Sequence, residues 1–271
     1  MSDSPSQAGA PASQVAGTAA FSKFMHLLQL VADADTPQTV GTLSQASGYP
    51  RPTVHRTVAA LLAEGLLVER AGALALGPRL LQLAGRSWER SELRQAATEV
   101  LRELRDATGE TVHLAIPSGT QMVYIQKLDS PSNVRMTSRI GRSVSMHSTS
   151  VGKAYLALLE PSRRDALLAR LSYTPYMPNT VGSAEALAQQ LEVVRARGWS
   201  SDEEENEAGI ACFGAPILGA DQLPVAAVSV STLRFRQRPD PLRSYVEPLL
   251  QACRTIAERI AHTPAAYEAS F

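Results

Sequence analysis

Residues 43–65 read LSQASGYPRPTVHRTVAALLAEG, and this stretch decides the fold of the first part of the chain. Its apolar residues Val54, Val58 and Leu61 recur at helical spacing, which predicts a helix with one buried stripe. A shorter helical segment precedes it, and Gly48 lies in the turn between the two. Two short helices joined by a glycine-containing turn are typical of the helix-turn-helix motif, whose second helix enters the DNA major groove.

The outer face of this second helix carries the candidate DNA-binding residues, which are Arg51, Thr53, His55 and Arg56. Arg56 can donate two hydrogen bonds to a guanine edge, and Thr53 can reach a phosphate or a thymine methyl group. His55 lies at the edge of the apolar stripe, where contact with DNA and packing against a neighbouring helix agree equally with the sequence. Arg51 stands between two prolines and is either a DNA contact or a solvated arginine.

Composition limits how the chain can bind nucleic acid. It has 271 residues, 44% of them hydrophobic, which is enough for two domains with buried cores. Its 26 basic residues balance its 26 acidic residues, so bulk charge cannot supply affinity for DNA. Residues 18–86 hold six basic and four acidic side chains, and such a weakly charged unit favours two copies bound to one duplex.

The termini and cysteines indicate the compartment. Residues 1–17 are rich in Ser, Ala, Gly, Pro and Gln and carry no Lys or Arg, which predicts a disordered tail and not a secretory signal. Residues 263–271 are expected to form a second tail. Cys212 and Cys253 are too few for a disulfide framework, and no apolar run is long enough to span a membrane. A cytoplasmic location is therefore expected.

The remaining pattern predicts an α+β protein with two domains. A winged helix-turn-helix domain is expected over residues 18–77, with a first helix over 21–32 and a hairpin over 66–76 as the wing. A linker helix over 78–90 then leads to a second domain over 91–262 that contains an antiparallel sheet. The predicted elements of the second domain are helices over 93–108, 152–159, 161–171, 184–197 and 242–260, and strands over 111–116, 122–127, 134–140, 212–218 and 225–233.

Several segments together resemble the IclR-type transcriptional regulators, and the resemblance covers about residues 18–260. The matching segments are SGYPRPTVHR at 47–56, LGPRL at 76–80, the run from Gly141 through His147 to the GKA at 152–154, and GWSSDEEENEAGIACFGAPI at 198–217. Pro52, Phe213 and Leu218 depart from the family's usual residue types. The resemblance implies a winged helix-turn-helix joined to a GAF-like effector-binding domain, assembled as a dimer or tetramer on a palindromic double-stranded DNA operator.

The resemblance also implies an effector pocket in the second domain. The residues that match the family's pocket are Met136, Val144, Ser150, Val151, Asp202, Ile210, Cys212, Ser229 and Ser231. Ser150 begins a predicted helix, where unpaired N–H groups favour a bound carboxylate, although helix capping alone also explains hydroxyls at this place. Ser229 and Ser231 lie on one face of a predicted strand. If Asp202 lies beside a bound carboxylate, the two carboxyl groups must share a proton. A ligand that offers a hydrogen-bond donor is therefore favoured.

The sequence therefore predicts a DNA-binding regulator whose operator affinity responds to a small hydroxy, keto or aromatic carboxylic acid, and which controls a catabolic operon. We expect no cofactor and no metal, because consecutive glutamates such as those at 203–205 usually form a solvated run. Two alternatives remain. One is an enzyme with Cys212 as nucleophile and His113 or His147 as base, although nothing in the spacing requires it. The other is a DNA-binding scaffold that senses no ligand.

Overall fold

The computed structural model describes residues 18–132 and 136–261. The two expected tails, and the first residues of the strand predicted over 134–140, lie outside the described residues. The chain divides into two compact units, of which the first ends at Arg90 and the second begins at Ser91. Within the described ranges, no helix combines the length and the apolar character that crossing a bilayer requires.

The first unit is a helical bundle with a two-stranded hairpin. Its elements are α1 Ala19–Asp33, α2 Val40–Ser47, α3 Arg51–Ala63, β1 Leu67–Arg70, β2 Ala73–Leu76 and α4 Pro78–Glu89. Leu27, Leu43 and Val54 are fully buried where the first three helices meet. Gly48 ends α2 with a φ of 69°, a left-handed conformation that glycine adopts readily. The predicted helix-turn-helix is confirmed.

The hairpin that forms the wing closes through a tight turn. Strands β1 and β2 pair antiparallel, and the pairing extends from Leu67 opposite Leu76 to Arg70 opposite Ala73. The turn therefore consists of two residues, at positions 71 and 72, and both have positive φ angles. Such a turn matches the twist of the two strands, so the hairpin predicted over 66–76 closes without a longer loop.

The second unit contains a six-stranded antiparallel sheet in the order β5-β4-β3-β8-β7-β6. Its strands are β3 Thr111–Ser118, β4 Gln121–Leu128, β5 Ser143–Ser145, β6 Ser200–Glu203, β7 Ile210–Leu218 and β8 Pro224–Leu233. Its helices are α5 Glu92–Thr108, α6 Ser150–Ala157, α7 Pro161–Leu168, α8 Ala184–Arg197 and α9 Glu247–Ala261. A π-helical turn at Leu242–Val246 precedes α9, where one continuous helix was predicted.

Alternation along the strands gives this sheet two different faces. Val112, Leu114 and Val228 pack in the core on the side of α5 and α9. Ala115 and Ala227, which are the neighbours of Leu114 and Val228 in their strands, pack in a second core on the side of α6 and α8. Helices therefore cover both faces of the sheet. His113 and Ser229 each lie two residues from one of these alanines in the same strand, so their side chains project on the α6 face as well.

Two strand predictions need correction. The described part of the run at 134–140 is not a strand, because the backbone carbonyls of Met136 and Ser138 accept hydrogen bonds from the Lys127 ammonium group and not from a neighbouring strand. The edge strand is instead β5, which pairs with β4. The segment at 200–203 was not predicted to form a strand. It forms β6, since its backbone pairs with β7 although its polar sequence has no apolar alternation.

Candidate functional site

The first candidate site is the exposed face of α3. Arg51, His55 and Arg56 are exposed, Thr53 is half-buried, and all four lie in the first two turns of the helix. The N-terminal residues of the second helix are the ones that contact base edges in helix-turn-helix proteins. His55 is exposed, which disfavours the alternative in which it packs against a neighbouring helix. The geometry leaves all four side chains accessible to a partner.

The second candidate site is a cavity on the α6 face of the sheet. It has a volume of about 60 Å³. Eight of the nine residues predicted for the pocket line it, namely Met136, Val144, Ser150, Asp202, Ile210, Cys212, Ser229 and Ser231. Val151 is not among the lining residues, since its side chain is 1% exposed and packs in the core between α6 and the sheet. The structure brings the eight together, and ligand binding by them stays a prediction.

Strand register explains why residues so far apart in sequence meet here. Asp202 in β6 is opposite Cys212 in β7, and Cys212 is opposite Ser231 in β8. Directly opposed residues in neighbouring antiparallel strands project on the same face, so the three side chains form one row across the sheet. This row is the polar floor of the cavity.

A glycine brings the start of α6 onto this floor. A Cβ atom at Gly214 would lie 2.5 Å from the carbonyl oxygen of Ser150, a distance that no real side chain tolerates. The hydroxyl of Ser200 donates to the same carbonyl oxygen at 2.6 Å. Glycine at this position therefore lets the N-terminal turn of α6 pack directly against β7, which positions Ser150 at the cavity.

The carboxyl group of Asp202 is buried, with 4% of the residue exposed. Burial raises the pKa of Asp202 to about 7, while a hydrogen bond from the Glu205 N–H and the charge of Lys153 act in the opposite direction. That N–H donates to Oδ1 of Asp202 at 2.8 Å. Asp202 can therefore hold a proton near neutral pH, which allows it to lie beside a bound carboxylate.

The acidic segment that follows Asp202 is not uniformly solvated, in contrast to the sequence prediction. Glu203 and Glu207 are exposed, but Glu205 is 7% exposed and pairs with the buried ammonium group of Lys153. The pair attaches this segment to α6. The described residues contain no cluster of His, Cys, Asp and Glu that could hold a metal ion.

His113 is the most prominent cavity residue that the pocket prediction missed. Its Nε2 atom lies 2.8 Å from the Ser138 hydroxyl, and its ring stacks on Tyr124 with 4.4 Å between centroids. Burial, assisted by the Lys127 charge, lowers the pKa of His113 to about 3, so the imidazole is neutral. The other lining residues that were missed are Tyr124, Ser138, Arg142, Thr149, Asn206 and Glu207.

The surroundings of Cys212 do not suit a nucleophile. Burial and the nearby charge of Asp202 raise the pKa of the Cys212 thiol well above its usual range, so it stays protonated. Of the two candidate bases, His147 directs Nε2 to the carbonyl oxygen of Thr174 at 3.1 Å. His113 faces serine hydroxyls through both of its nitrogens.

An exposed second helix in a winged helix-turn-helix unit, followed by a separate α+β unit, defines a class of protein, the winged-helix transcription factors that carry a second domain. Sequence models of known families match both units. The IclR helix-turn-helix domain matches residues 21–71, and the bacterial transcriptional regulator IclR C-terminal domain matches residues 86–258. The chain therefore belongs to the IclR family of transcriptional regulators, whose members bind DNA.

Individual relatives agree with this assignment. The HTH-type transcriptional regulator XynR of Escherichia coli K12 is 33% identical over 230 residues, which are 84% of this chain and 91% of the relative. The structure of a putative IclR transcriptional regulator from Silicibacter sp. TM1040 has a TM-score of 0.76 and 30% identity, with 89% of this chain and 96% of that chain covered. These relatives are transcriptional regulators and not enzymes, which overturns the Cys212 enzyme alternative.

A second similar structure contains a bound ligand. It is the IclR homologue from Microbacterium hydrocarbonoxydans complexed with 4-hydroxybenzoate, with a TM-score of 0.76 and 24% identity. The match covers 89% of this chain and 99% of that chain. At this level of identity the likeness extends to the fold alone.

Proposed function

We propose that this chain binds a palindromic operator through paired α3 helices, and that a small carboxylic acid in the cavity changes its affinity for the operator. The observation that carries the second part is the polar row of Asp202, Cys212 and Ser231 beside the start of α6. A cavity lined by hydroxyl groups, with a carboxyl group that keeps its proton near neutral pH, suits an oxyanion better than it suits a hydrocarbon.

The N-terminal turn of α6 supports an anionic ligand. The hydroxyl of Thr149 caps this helix by accepting a hydrogen bond from the N–H of Gly152 at 3.3 Å. Capping therefore accounts for Thr149, while Ser150 lines the cavity. The positive end of the helix dipole adjoins the same space, which favours a carboxylate there.

The size of the cavity and the protonation of Asp202 narrow the ligand class. A cavity must have about 10–15 Å³ to hold one water molecule. The cavity of about 60 Å³ therefore suits a small molecule. Protonated Asp202 donates to a ligand carboxylate, and ionised Asp202 accepts from a ligand hydroxyl. Small hydroxy, keto and aromatic acids satisfy these conditions. We include 4-hydroxybenzoate as a probe because the Microbacterium homologue was crystallised with it.

Self-association is supported by apolar side chains on the surface of the first unit. Phe21 and Met25 of α1 are 65% and 46% exposed, and Leu81 and Leu83 of α4 are 76% and 58% exposed. Four exposed apolar side chains on one unit favour an interface in which another surface covers them. A second copy of the chain would also supply the second α3 helix that a palindromic site requires.

The regulated genes and the location of the protein follow from this proposal. Small organic acids are common intermediates of catabolism, so we place the regulated genes in a catabolic operon. A protein that controls bacterial transcription acts where the chromosome lies, and we therefore place it in the cytoplasm.

The test combines a thermal-shift screen with operator binding. Lactate, pyruvate and 4-hydroxybenzoate are compared with the corresponding amides, which lack the carboxylate charge. An acid at 100 times its dissociation constant stabilises the protein by about 2.7 kcal/mol. The proposal expects a shift with at least one acid and a change in operator affinity with the same acid. Thermal shifts and operator affinities that no acid alters would instead support a scaffold that senses no ligand.

A further inference from the structure

The segment of residues 136–142 borders the cavity, and two side chains of the sheet attach it there. The ammonium group of Lys127 donates to the carbonyl oxygens of Met136 at 2.8 Å and of Ser138 at 2.7 Å. Nε2 of His113 lies 2.8 Å from the Ser138 hydroxyl oxygen. Met136 and Ser138 themselves line the cavity, so these contacts fix part of its wall.

The other nitrogen of His113 has only weak protein partners among the described residues. Nδ1 lies 3.4 Å from the Ser229 hydroxyl oxygen and 3.5 Å from that of Ser231. Both distances are long for a hydrogen bond, which usually spans about 2.9–3.0 Å between nitrogen and oxygen. The residue is 2% exposed and lines the cavity, so its remaining contact comes from the molecule that occupies the cavity. A ligand group in the cavity can supply the third and shorter contact.

A neutral imidazole has one donor and one acceptor, so the role of one nitrogen decides the role of the other. When the Nε2–H of His113 donates to Ser138, Nδ1 accepts, and a ligand hydroxyl is the group that satisfies it. The two ends of the ring thus connect the segment at 136–142 with the position of the ligand.

We propose that His113 is a specificity-determining residue of the cavity, which accepts a hydrogen bond from a ligand hydroxyl at Nδ1 and positions Ser138 through Nε2. The proposal rests on the proposed function and deepens it, because it selects hydroxylated acids over the same acids without the hydroxyl. The carboxylate of the ligand then lies toward Ser150, and its hydroxyl lies toward Ser229 and His113.

Two substitutions separate this role from the packing of His113 on Tyr124. Asn at position 113 keeps a polar atom near the place of Nδ1, and Gln keeps one near the place of Nε2. Both lose the aromatic ring, so a purely structural role predicts equal effects. Ser118→Ala, at the exposed far end of β3, is the control for changes in the strand itself.

The experiment measures the affinity of the full-length protein for lactate against propionate and for 4-hydroxybenzoate against benzoate by isothermal titration calorimetry. In the wild type and in Ser118→Ala, we expect the hydroxylated acid of the responsive pair to bind more tightly by at least about tenfold. His113→Gln removes this preference, whereas His113→Asn retains it. Thermal melts of both variants verify that they are folded.

Three outcomes would overturn the proposal. If both variants keep the preference, or both lose it equally, His113 has only a structural role. If the wild type binds hydroxylated and plain acids with equal affinity, no residue selects for the hydroxyl. If the wild type binds none of the four acids and does not respond to pyruvate either, the proposed acid-sensing function itself fails. This result differs from the other two because in them the protein still binds an acid.

Discussion

The Nζ atom of Lys153 lies 2.5 Å from Oε1 of Glu205, and both side chains are buried beside the segment that carries Asp202. The ion pair connects α6 with the acidic segment, although 52 residues separate the two partners in the sequence. Among the described residues, the second carboxylate oxygen of Glu205 has no hydrogen-bond partner. The negative charge of this buried carboxylate is therefore neutralised by Lys153.

Removing Lys153 should therefore destabilise the second unit strongly. Lys153→Met leaves a buried carboxylate without a counter-charge, which costs about 3–5 kcal/mol of unfolding free energy. The double variant Lys153→Met, Glu205→Met should recover most of this loss. Urea denaturation measures both effects, with Arg102→Met as the control because its ion pair with Glu99 is exposed. A loss for Lys153→Met no larger than that for Arg102→Met would contradict the assignment.

The pKa of Asp202 predicts how stability depends on pH. Its folded-state value of about 7 lies above the ordinary value of 3.8, so the folded protein binds this proton more tightly than the unfolded chain does. The contribution of Asp202 to the unfolding free energy is therefore greatest below the ordinary value and declines as pH rises toward 7. Asp202→Asn should remove this decline and raise the melting temperature at pH 8 relative to the wild type. Asp106→Asn, at an exposed aspartate, should reproduce the wild-type pH profile.

A variant of Arg56 tests which contact this residue makes with DNA. If its guanidinium group binds a base edge, Arg56→Ala costs about 1–3 kcal/mol on the specific operator and much less on random DNA. Fluorescence anisotropy with both duplexes measures the difference. Arg102→Ala, in the second unit, should change neither affinity. Equal losses on both duplexes would identify Arg56 as a phosphate contact.

The exposed leucines of α4 provide a test of assembly. Replacing Leu81 and Leu83 by glutamate places charges where we propose that a second copy packs, which should shift the protein toward monomer and weaken operator binding. Sedimentation velocity and footprinting measure the two effects. Leu242→Glu is the matched control, because Leu242 is 51% exposed in the other unit. A monomer that protects a single asymmetric half-site with full affinity would refute the symmetric arrangement.

Local sequence signals predicted most helices closely. Helix α8 was expected over 184–197 and has these bounds, since Ser183 caps its first turn and Gly198 ends it with a φ of 81°. Strand β6 could not be found in this way, because its pairing with β7 depends on residues outside the segment and its own sequence is polar.

The candidate pocket was predicted mainly from family resemblance and not from spacing. His113 was missed because its contact with Ser229 spans 116 residues and depends on the register of β3 against β8. Strand alternation predicts the face of its own strand on which each residue lies. The register of the two strands is needed to show that the residues are neighbours. Val151 was included because it matches a pocket position of the family, yet its side chain packs in the core between α6 and the sheet.

The most direct test of the account is the response of the double variant Ser229→Ala, Ser231→Ala to the acid that shifts the wild type. In the wild type, saturating acid should change operator affinity about 5- to 150-fold, and operator DNA should change the affinity for the acid by the same factor. The double variant should bind the operator without ligand as the wild type does, and acid should no longer alter that affinity. An unchanged response of the double variant, with unchanged affinity for the acid, would contradict the proposed cavity.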